Sequence, residues 1–259
     1  MLIISESVNG LFKSVGRAID DRDPKPIVKI VERQEAAGAN AFDVNVGPGR
    51  GKDAPGDMAW LVGAVQGATK LPLCIDAPDT ETMAAGLAAA ENPTIINSTT
   101  AEPAKMDALF PMAVEHGSDI ICLTMDEKGV PNDADSRAEM AMVMLMTAME
   151  HGIGAERVLF DPLVLPVCAA QDQGPKVIEA IRSFQILSNP APRTVVGLSN
   201  ISNGASGRSL INRTFLPMLV GAGLSAVILD PDDGELMETV KTCEVLMDRK
   251  LYCTDYLRD

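Results

Sequence analysis

The chain has 259 residues, of which 46% are hydrophobic and 22% are charged, and its formal net charge is −14 at pH 7. That length is typical of one closed α/β barrel, which buries a full core without disulfides or metals, so a single domain over residues 1–259 is expected. The acidic excess leaves no basic surface for phosphate backbones and argues against nucleic acid and anionic membranes as partners.

Eight short apolar runs rich in strand-forming residues recur along the chain. They cover residues 2–5, 41–45, 73–76, 94–98, 119–124, 157–161, 194–199 and 225–230. The segments between them have helical composition, and many end at a glycine, as at Gly38, Gly117, Gly152 and Gly223. This alternation predicts parallel βα units and a single (β/α)8 TIM barrel. An open dinucleotide-binding sheet is disfavoured, because no G-x-G-x-x-G follows Ser5.

The first predicted helix follows Asp23, a candidate cap, and Pro24, which suits a first helical turn. Its residues Ile27, Ile30 and Val31 form an apolar stripe that should pack on the sheet.

Three later segments carry weaker signals. Residues 47–51 read GPGRG and predict an active-site loop rather than a phosphate cradle. Residues 101–116 look helical, but Pro111 should kink or split that helix. The methionine-rich segment 140–149 predicts adaptable core packing, with a partner surface as the alternative.

The chain starts without the basic flank and long apolar run of a secretion signal, and no apolar stretch reaches about 18 residues. A cytoplasmic protein is therefore expected. The cysteines form no CxxC pair and are predicted to be buried free thiols: Cys74, Cys122, Cys168, Cys243 and Cys253. With only His116 and His151 available, no tightly bound metal is predicted.

Polar side chains close almost every predicted strand. They are Glu6, Asn9, Asp43, Asn45, Asp76, Asn97, Ser98, Thr124, Asp161, Ser199, Asn200 and Asp230. Each alone is more often a turn former or a helix cap, but the carboxyl ends of barrel strands meet at the active site. The absence of Lys and Arg from this set disfavours a phosphate-anchored substrate or a Schiff base. Carboxylates and carboxamides instead suit a 2-amino-4-oxo-pyrimidine edge, as in guanine or a pterin.

Six segments carry a resemblance to a known family. They are residues 4–10 (ISESVNG), 42–47 (FDVNVG), 74–76 (CID), 95–98 (IINS), 160–163 (FDPL) and 197–202 (GLSNIS). In this order they resemble the pterin-binding methyltransferases, most nearly the methyltetrahydrofolate:corrinoid/iron-sulfur protein methyltransferases. The resemblance runs from the first strand to Tyr252-Cys253.

The resemblance implies a homodimeric barrel that binds methyltetrahydrofolate or tetrahydrofolate as substrate and exchanges a methyl group with a corrinoid (cobalamin) carried by a partner protein. It implies that Asp76, Asn97 and Asp161 hold the pterin ring and that Asn200 acts in catalysis at the N5 atom. Further substrate-binding positions, and then weaker candidates from the strand ends, are Gly197, Ser199, Asn203 and Arg208, and Glu6, Asn9, Asp43 and Asn45.

Two positions depart from the family pattern. Ser7 stands where the family usually has Arg, so any ion pair made by that Arg is absent. Asn203 stands where Gln is expected, which puts its contact to the folate in doubt. Neither position belongs to the ring-binding set.

Three other functions are open to different degrees. The same chemistry can run from a methylcorrinoid protein to tetrahydrofolate during O- or N-demethylation, and the sequence does not choose the direction. A non-catalytic pterin-binding protein is a second alternative. Dihydropteroate synthase is disfavoured, because residues 197–200 read GLSN where that family has Ser-Arg-Lys, and both histidines precede residue 152.

Overall fold

The structure, a computed structural model, describes residues 1–258. Eight parallel strands form one sheet in the order β7-β6-β5-β4-β3-β2-β1-β8. Their bounds are β1 Leu2–Asn9, β2 Ala41–Asn45, β3 Leu73–Asp76, β4 Thr94–Thr100, β5 Asp119–Leu123, β6 Val158–Asp161, β7 Arg193–Thr194 and β8 Ala226–Leu229.

The sheet closes on itself between β7 and β8. A parallel bridge joins Gly197 to Ile228, and the amide of Ile228 donates to the carbonyl of Val196 at 2.9 Å. The (β/α)8 barrel predicted from the sequence is confirmed. The seventh strand is shorter than predicted, because Leu198–Ser202 turn into a 3₁₀ helix instead of continuing the strand.

Nine α-helices occur among the described residues. They are α1 Lys13–Asp21, α2 Lys25–Ala36, α3 Ala54–Gln66, α4 Thr80–Ala89, α5 Pro103–Glu115, α6 Ala134–Glu150, α7 Gln173–Phe184, α8 Arg208–Ala222 and α9 Gly234–Leu246. Helix α1 was not predicted, so the segment predicted as the first helix is α2. Its Ile27 and Val31 are fully buried as expected, but Pro24 rather than Asp23 occupies the cap position.

Two predictions about helices need correction. Pro111 does not split α5, which runs unbroken from Pro103 to Glu115. In the methionine-rich part of α6, Met144 is buried and Met140 packs against the core. Met142, Met146 and Met149 are exposed, so core packing is wrong for these three.

The cysteines divide between core and surface. Cys74, Cys122 and Cys243 are buried as predicted, whereas Cys168 and Cys253 are exposed and contradict that prediction. Within residues 1–258, no helix is long and apolar enough to cross a membrane.

Candidate active site

Eight apolar residues, one from each strand or directly after it, form the floor of the barrel interior. This cluster contains Ile4, Ala41, Cys74, Ile95, Ile121, Leu159, Val195 and Ala226. Side chains two positions apart point to the same side of a strand. The next layer toward the carboxyl ends therefore consists of Glu6, Asp43, Asp76, Asn97, Leu123, Asp161, Gly197 and Ile228. Six of these eight are residues that the sequence analysis singled out.

Two carboxyls of this layer lie side by side between β2 and β3. Asp43 is buried and accepts a hydrogen bond from Nδ2 of Asn97 at 3.0 Å, and Asn45 donates to Oδ2 of Asp76 at 2.6 Å. Burial, followed by the neighbouring charge of Asp76, raises the pKa of Asp43 well above its usual range. Burial also raises the pKa of Asp76, against the opposing effect of Asn45. The pair therefore favours holding a proton.

Asp161 ends β6 and is buried. Burial raises its pKa to about 7, although the amide of Leu163, which donates to Oδ1 at 2.7 Å, and the charge of Arg137 both lower it. The alternative that Asp161 caps a helix does not hold, because α7 begins at Gln173. Asp76 is not a cap either, since Asp79 caps α4 by accepting from the amide of Thr82.

Glu6 connects the first strand to the loop after β7. Its Oε1 accepts from the hydroxyl of Ser199 at 2.8 Å. Burial raises the pKa of Glu6; the Ser199 hydrogen bond and the charge of Arg208 oppose that rise, and the charge of Asp230 adds to it.

Ser7 stands where the resembled family usually has Arg, and neutral side chains lie at this position. Nε2 of Gln34 donates to the Ser7 hydroxyl at 2.5 Å and to Oδ1 of Asp230 at 3.1 Å. Ser7 also donates to the same Asp230 oxygen at 3.4 Å. The side chains of Gln34 and Ser7 thus provide hydrogen bonds to the carboxylate of Asp230.

The loop after β7 carries a hydrogen-bonded series of side chains. Arg208, the first residue of α8, donates through Nη2 to Oδ1 of Asn203 at 3.2 Å. Asn203 donates through Nδ2 to Oδ1 of Asn200 at 3.3 Å. All three side chains are exposed at the barrel mouth.

A cavity of about 810 Å³ opens beside this layer, above strands β2 to β5. Asn45, Asp76, Asn97 and Ser98 form its polar part. The remaining wall is largely apolar and includes Leu11, Pro48, Pro78, Met83, Leu109 and Met125. Asp161, Asn200, Asn203 and Arg208 do not line this cavity, so the predicted set divides between the cavity and the opposite rim.

Asn9 and the glycine-rich segment 47–51 belong to the loops of the barrel mouth. The side chain of Asn9 accepts from the amide of Leu11 at 2.9 Å, which makes it a turn former. The β1 and β2 loops pack backbone to backbone, and a Cβ at Gly10 would lie 2.0 Å from the carbonyl oxygen of Val46. Gly47, at φ +80°, faces Gly10 from the other side. Gly47 is therefore a packed part of the rim, whereas Gly49 and Gly51 are exposed with open space around them.

Sequence reasoning missed four side chains that shape the site. Cys74 hydrogen-bonds to Asp43, and burial raises the pKa of its thiol well above the usual range. Lys105 lines the cavity and pairs with Glu102 at 3.0 Å. Arg137 is fully buried in α6, where it donates to the Pro131 carbonyl and to Gln173.

The fourth of these side chains, Gln34, could have been recognised from the sequence. It lies on the buried stripe of α2 three residues after Val31, and a polar residue on such a stripe needs partners inside the protein. The other three gave no such signal, because their positions relative to the site depend on how the strands and helices pack in the closed barrel.

The site presents mainly hydrogen-bond acceptors and carboxamides, and within residues 1–258 no group of three or more His, Cys, Asp or Glu could hold a metal ion. The amide of Asn97 donates to Asp43 and to Cys74, which leaves its carbonyl for a ligand. Asp76 likewise uses one oxygen on Asn45 and keeps the other. Such a set can bind a flat heterocycle that offers several N–H donors.

Comparison with known proteins gives a consistent result. The model of the family described as pterin binding enzyme matches residues 13–230. A methylcorrinoid:tetrahydrofolate methyltransferase of Eubacterium limosum is 29% identical over 261 residues, which cover 99% of this chain and 94% of that protein. A methionine synthase of Mycobacterium leprae is 28% identical over 242 residues, covering 88% of this chain but only 20% of that protein.

Solved structures show the same fold at lower identity. A dihydropteroate synthase of Coxiella burnetii in complex with pteroic acid superposes with a TM-score of 0.72, 10% identity, and coverage of 96% of this chain and 94% of that chain. At this identity the likeness establishes the barrel fold alone.

Proposed function

Because this chain belongs to the pterin binding enzyme family, we propose that it is a methyltransferase that moves a methyl group between N5 of methyltetrahydrofolate and the cobalt of a corrinoid protein. The observation that carries the proposal is the inward layer of Asp76, Asn97 and Asp161, which offers acceptors without a cation among them. The likeness to the Eubacterium limosum methyltransferase over 99% of the chain supports the reaction type.

In this proposal the pterin ring lies on the inward layer with its 2-amino-4-oxo edge toward Asp76, Asn97 and Asp161. The carbonyl of Asn97 and the carboxylates accept from the ring N–H groups, because their remaining hydrogen-bonding capacity is of the acceptor kind. Gly197 and Ser199 bound the ring from the β7 side. The apolar wall with Leu109 fits the aromatic part of the folate that follows the ring.

Methyl transfer requires help at the leaving nitrogen. The N5 amine is a poor leaving group unless a hydrogen bond or proton reaches it as the bond breaks. Asn200 can donate such a hydrogen bond from its amide, which is exposed at the mouth. A corrinoid in the cobalt(I) state supplies the electron pair that accepts the methyl group. The chain therefore has to orient the folate and donate to N5, and it needs no nucleophile of its own.

The reverse direction is a second candidate, and one observation favours it. The Eubacterium limosum relative is named for transfer from a methylcorrinoid to tetrahydrofolate. One site serves both directions, since the transition state is the same for a reaction and its reverse. Purified methylcorrinoid protein and tetrahydrofolate, compared with cobalt(I) corrinoid and methyltetrahydrofolate, would give the equilibrium position.

A homodimer is part of the proposal. Apolar side chains are exposed on two helices that both pack against α7: Met142, Val143 and Met146 on α6, and Leu210 and Met218 on α8. Large exposed apolar patches mark protein contacts. Sedimentation equilibrium should give twice the chain mass of 27.4 kDa, and Met146→Glu should lower the association constant. A monomer at micromolar concentration would contradict this part.

The test of function is a calorimetric titration with methyltetrahydrofolate, followed by addition of cob(I)alamin while its absorbance is recorded. Binding with conversion of the cobalt spectrum supports the methyltransferase. Binding without conversion, also with a protein-bound corrinoid, would leave a pterin-binding protein. The absence of binding would refute the pterin assignment.

A further inference from the structure

The loop after β7 fixes which end of the Asn200 amide faces the pocket. An asparagine amide has one accepting and one donating end, and either end can point toward a ligand. Since the proposed function needs a donor at N5, the orientation of Asn200 determines whether it helps or hinders methyl transfer. The inference below rests on that proposed function.

The orientation begins at Arg208. A guanidinium can only donate hydrogen bonds, so the Asn203 atom that it contacts at 3.2 Å must be the carbonyl oxygen Oδ1. The NH₂ end of Asn203 is then turned toward Asn200, and its partner at 3.3 Å must be an acceptor. This makes that partner the oxygen of Asn200. The NH₂ end of Asn200 remains for the ligand.

Arg208 and Asn203 are both held in place by further contacts. Arg208 also donates through Nε to the hydroxyl of Ser202 at 3.1 Å and through Nη2 to the carbonyl of Ser199 at 3.4 Å. The backbone carbonyl of Asn203 accepts from the thiol of Cys168 at 3.0 Å, and this bond connects the Asn203 backbone to the loop after β6. The guanidinium and the Asn203 backbone are therefore both constrained.

The free end of Asn200 lies against Gly197. A Cβ at Gly197 would come within 2.9 Å of Nδ2 of Asn200. Among the hydrogen bonds of residues 1–258, Nδ2 of Asn200 has no partner. The group that would reach N5 is thus the one that the protein leaves available.

We propose that Asn203 is a positioning residue. Its side-chain oxygen accepts from Arg208, so its NH₂ group faces the oxygen of Asn200 and turns the NH₂ group of Asn200 toward N5 of the folate. This role differs from the direct folate contact expected for Asn203 from the sequence. It requires a side chain with both an acceptor and a donor at this position, since only such a side chain can connect Arg208 to the oxygen of Asn200.

The decisive variant is Asn203→Asp, which has the same shape but no donor. Its carboxylate accepts from Arg208 and, on the other oxygen, from the NH₂ of Asn200, so the Asn200 amide turns its carbonyl toward N5. The single-turnover rate of methyl transfer from methyltetrahydrofolate to cob(I)alamin should fall at least about tenfold, because Asn200 must break a hydrogen bond to the carboxylate before its NH₂ group can reach N5. The folate Kd should change less than about twofold.

Three comparisons make the test specific. Asn203→Gln keeps both amide ends and should lose less than Asn203→Asp. Ser206→Asp adds a charge to the same loop at an exposed residue outside the series and controls for electrostatics. In an Asn200→Ala background, Asn203→Asp should have no further effect on the rate, because the residue that it orients is gone.

The outcomes separate this inference from the proposed function. A wild-type protein that fails to bind the folate, or that transfers methyl neither to cob(I)alamin nor to a protein-bound corrinoid, refutes the function itself. A wild-type protein that transfers methyl, with an unaltered rate in Asn203→Asp, overturns only the positioning role. A raised Kd, with a rate loss that persists in the Asn200→Ala background, would instead assign Asn203 to direct folate contact.

Discussion

Binding of the folate should release a proton from Asp161. In the free protein, burial raises the pKa of this carboxyl to about 7, so the group is largely protonated on the acid side of neutrality. A pterin that donates its ring N–H groups to Asp161 favours the carboxylate. The bound state therefore has a lower pKa than the free state, and the difference in protonation appears in solution.

The size of the effect follows from the pKa. With a value of about 7, about 0.9 of the free carboxyls carry a proton at pH 6 and about 0.1 at pH 8. The contribution of Asp161 to proton release on binding should thus fall from about 0.9 to about 0.1 proton over this range. The affinity should rise with pH below 7 and become constant above about pH 8. Because the pKa in the folded state is raised, the contribution of Asp161 to stability of the free protein is present at low pH and lost as the pH rises through 7.

Calorimetric titrations with methyltetrahydrofolate in buffers of different ionisation enthalpy measure this release directly. Asp161→Asn should remove the part of the release that has its midpoint at about pH 7, and it should weaken binding, since an amide cannot accept two adjacent donors. Asp107→Asn, an exposed position on α5, is the matched control and should leave release and affinity unaltered. Equal proton release in wild type and Asp161→Asn would refute the assignment of the proton to this carboxyl.

Three further variants test the same site. Asn200→Ala should lower the rate of methyl transfer about 100-fold, the usual effect of losing one donor to a reacting centre. The folate Kd measured by calorimetry should stay within a few fold of the wild-type value. Equal losses in rate and affinity would mean that Asn200 only binds the folate. Gly197→Ala should displace the Asn200 amide, whose Nδ2 lies 2.9 Å from the new Cβ, and slow transfer in stopped-flow assays, whereas Gly221→Ala, with open space around its Cβ, should not. Arg137→Met removes the buried charge that lowers the pKa of Asp161, so the midpoint of the pH dependence of folate binding should move upward.

The barrel could be predicted because its signal is repeated. Eight apolar runs separated by helical segments have few other solutions, and the run at residues 73–76 matches β3 in the structure. The seventh run misled because GLSNIS has strand-like composition, whereas Leu198–Ser202 form a 3₁₀ helix. Local composition does not reveal that this turn is needed to bring Ser199 to Glu6, since their contact spans 193 residues of sequence.

The layer that carries the site was predictable for a related reason. Asp43, Asp76 and Asp161 each follow an inward apolar residue by two positions, and the alternation of a strand turns them inward as well. The sequence does not show which residues contact each carboxyl or change its pKa. Cys74 reaches Asp43, and Arg137 acts on Asp161, through contacts that exist only in the closed barrel.

The raised pKa values of the inward carboxyls have a functional logic. Within residues 1–258, none of the buried carboxyls Asp43, Asp76 and Asp161 forms an ion pair, so this layer holds protons when it is empty, because buried charges without partners are costly. A ligand rich in N–H donors supplies the missing partners and allows the carboxylates to ionise. A ligand that offers acceptors in the same positions meets no donor except the carboxyl protons themselves. Selectivity for an amino-substituted heterocycle thus follows from the lack of cations in this layer, and Lys105, the cation that lines the cavity, is already paired with Glu102.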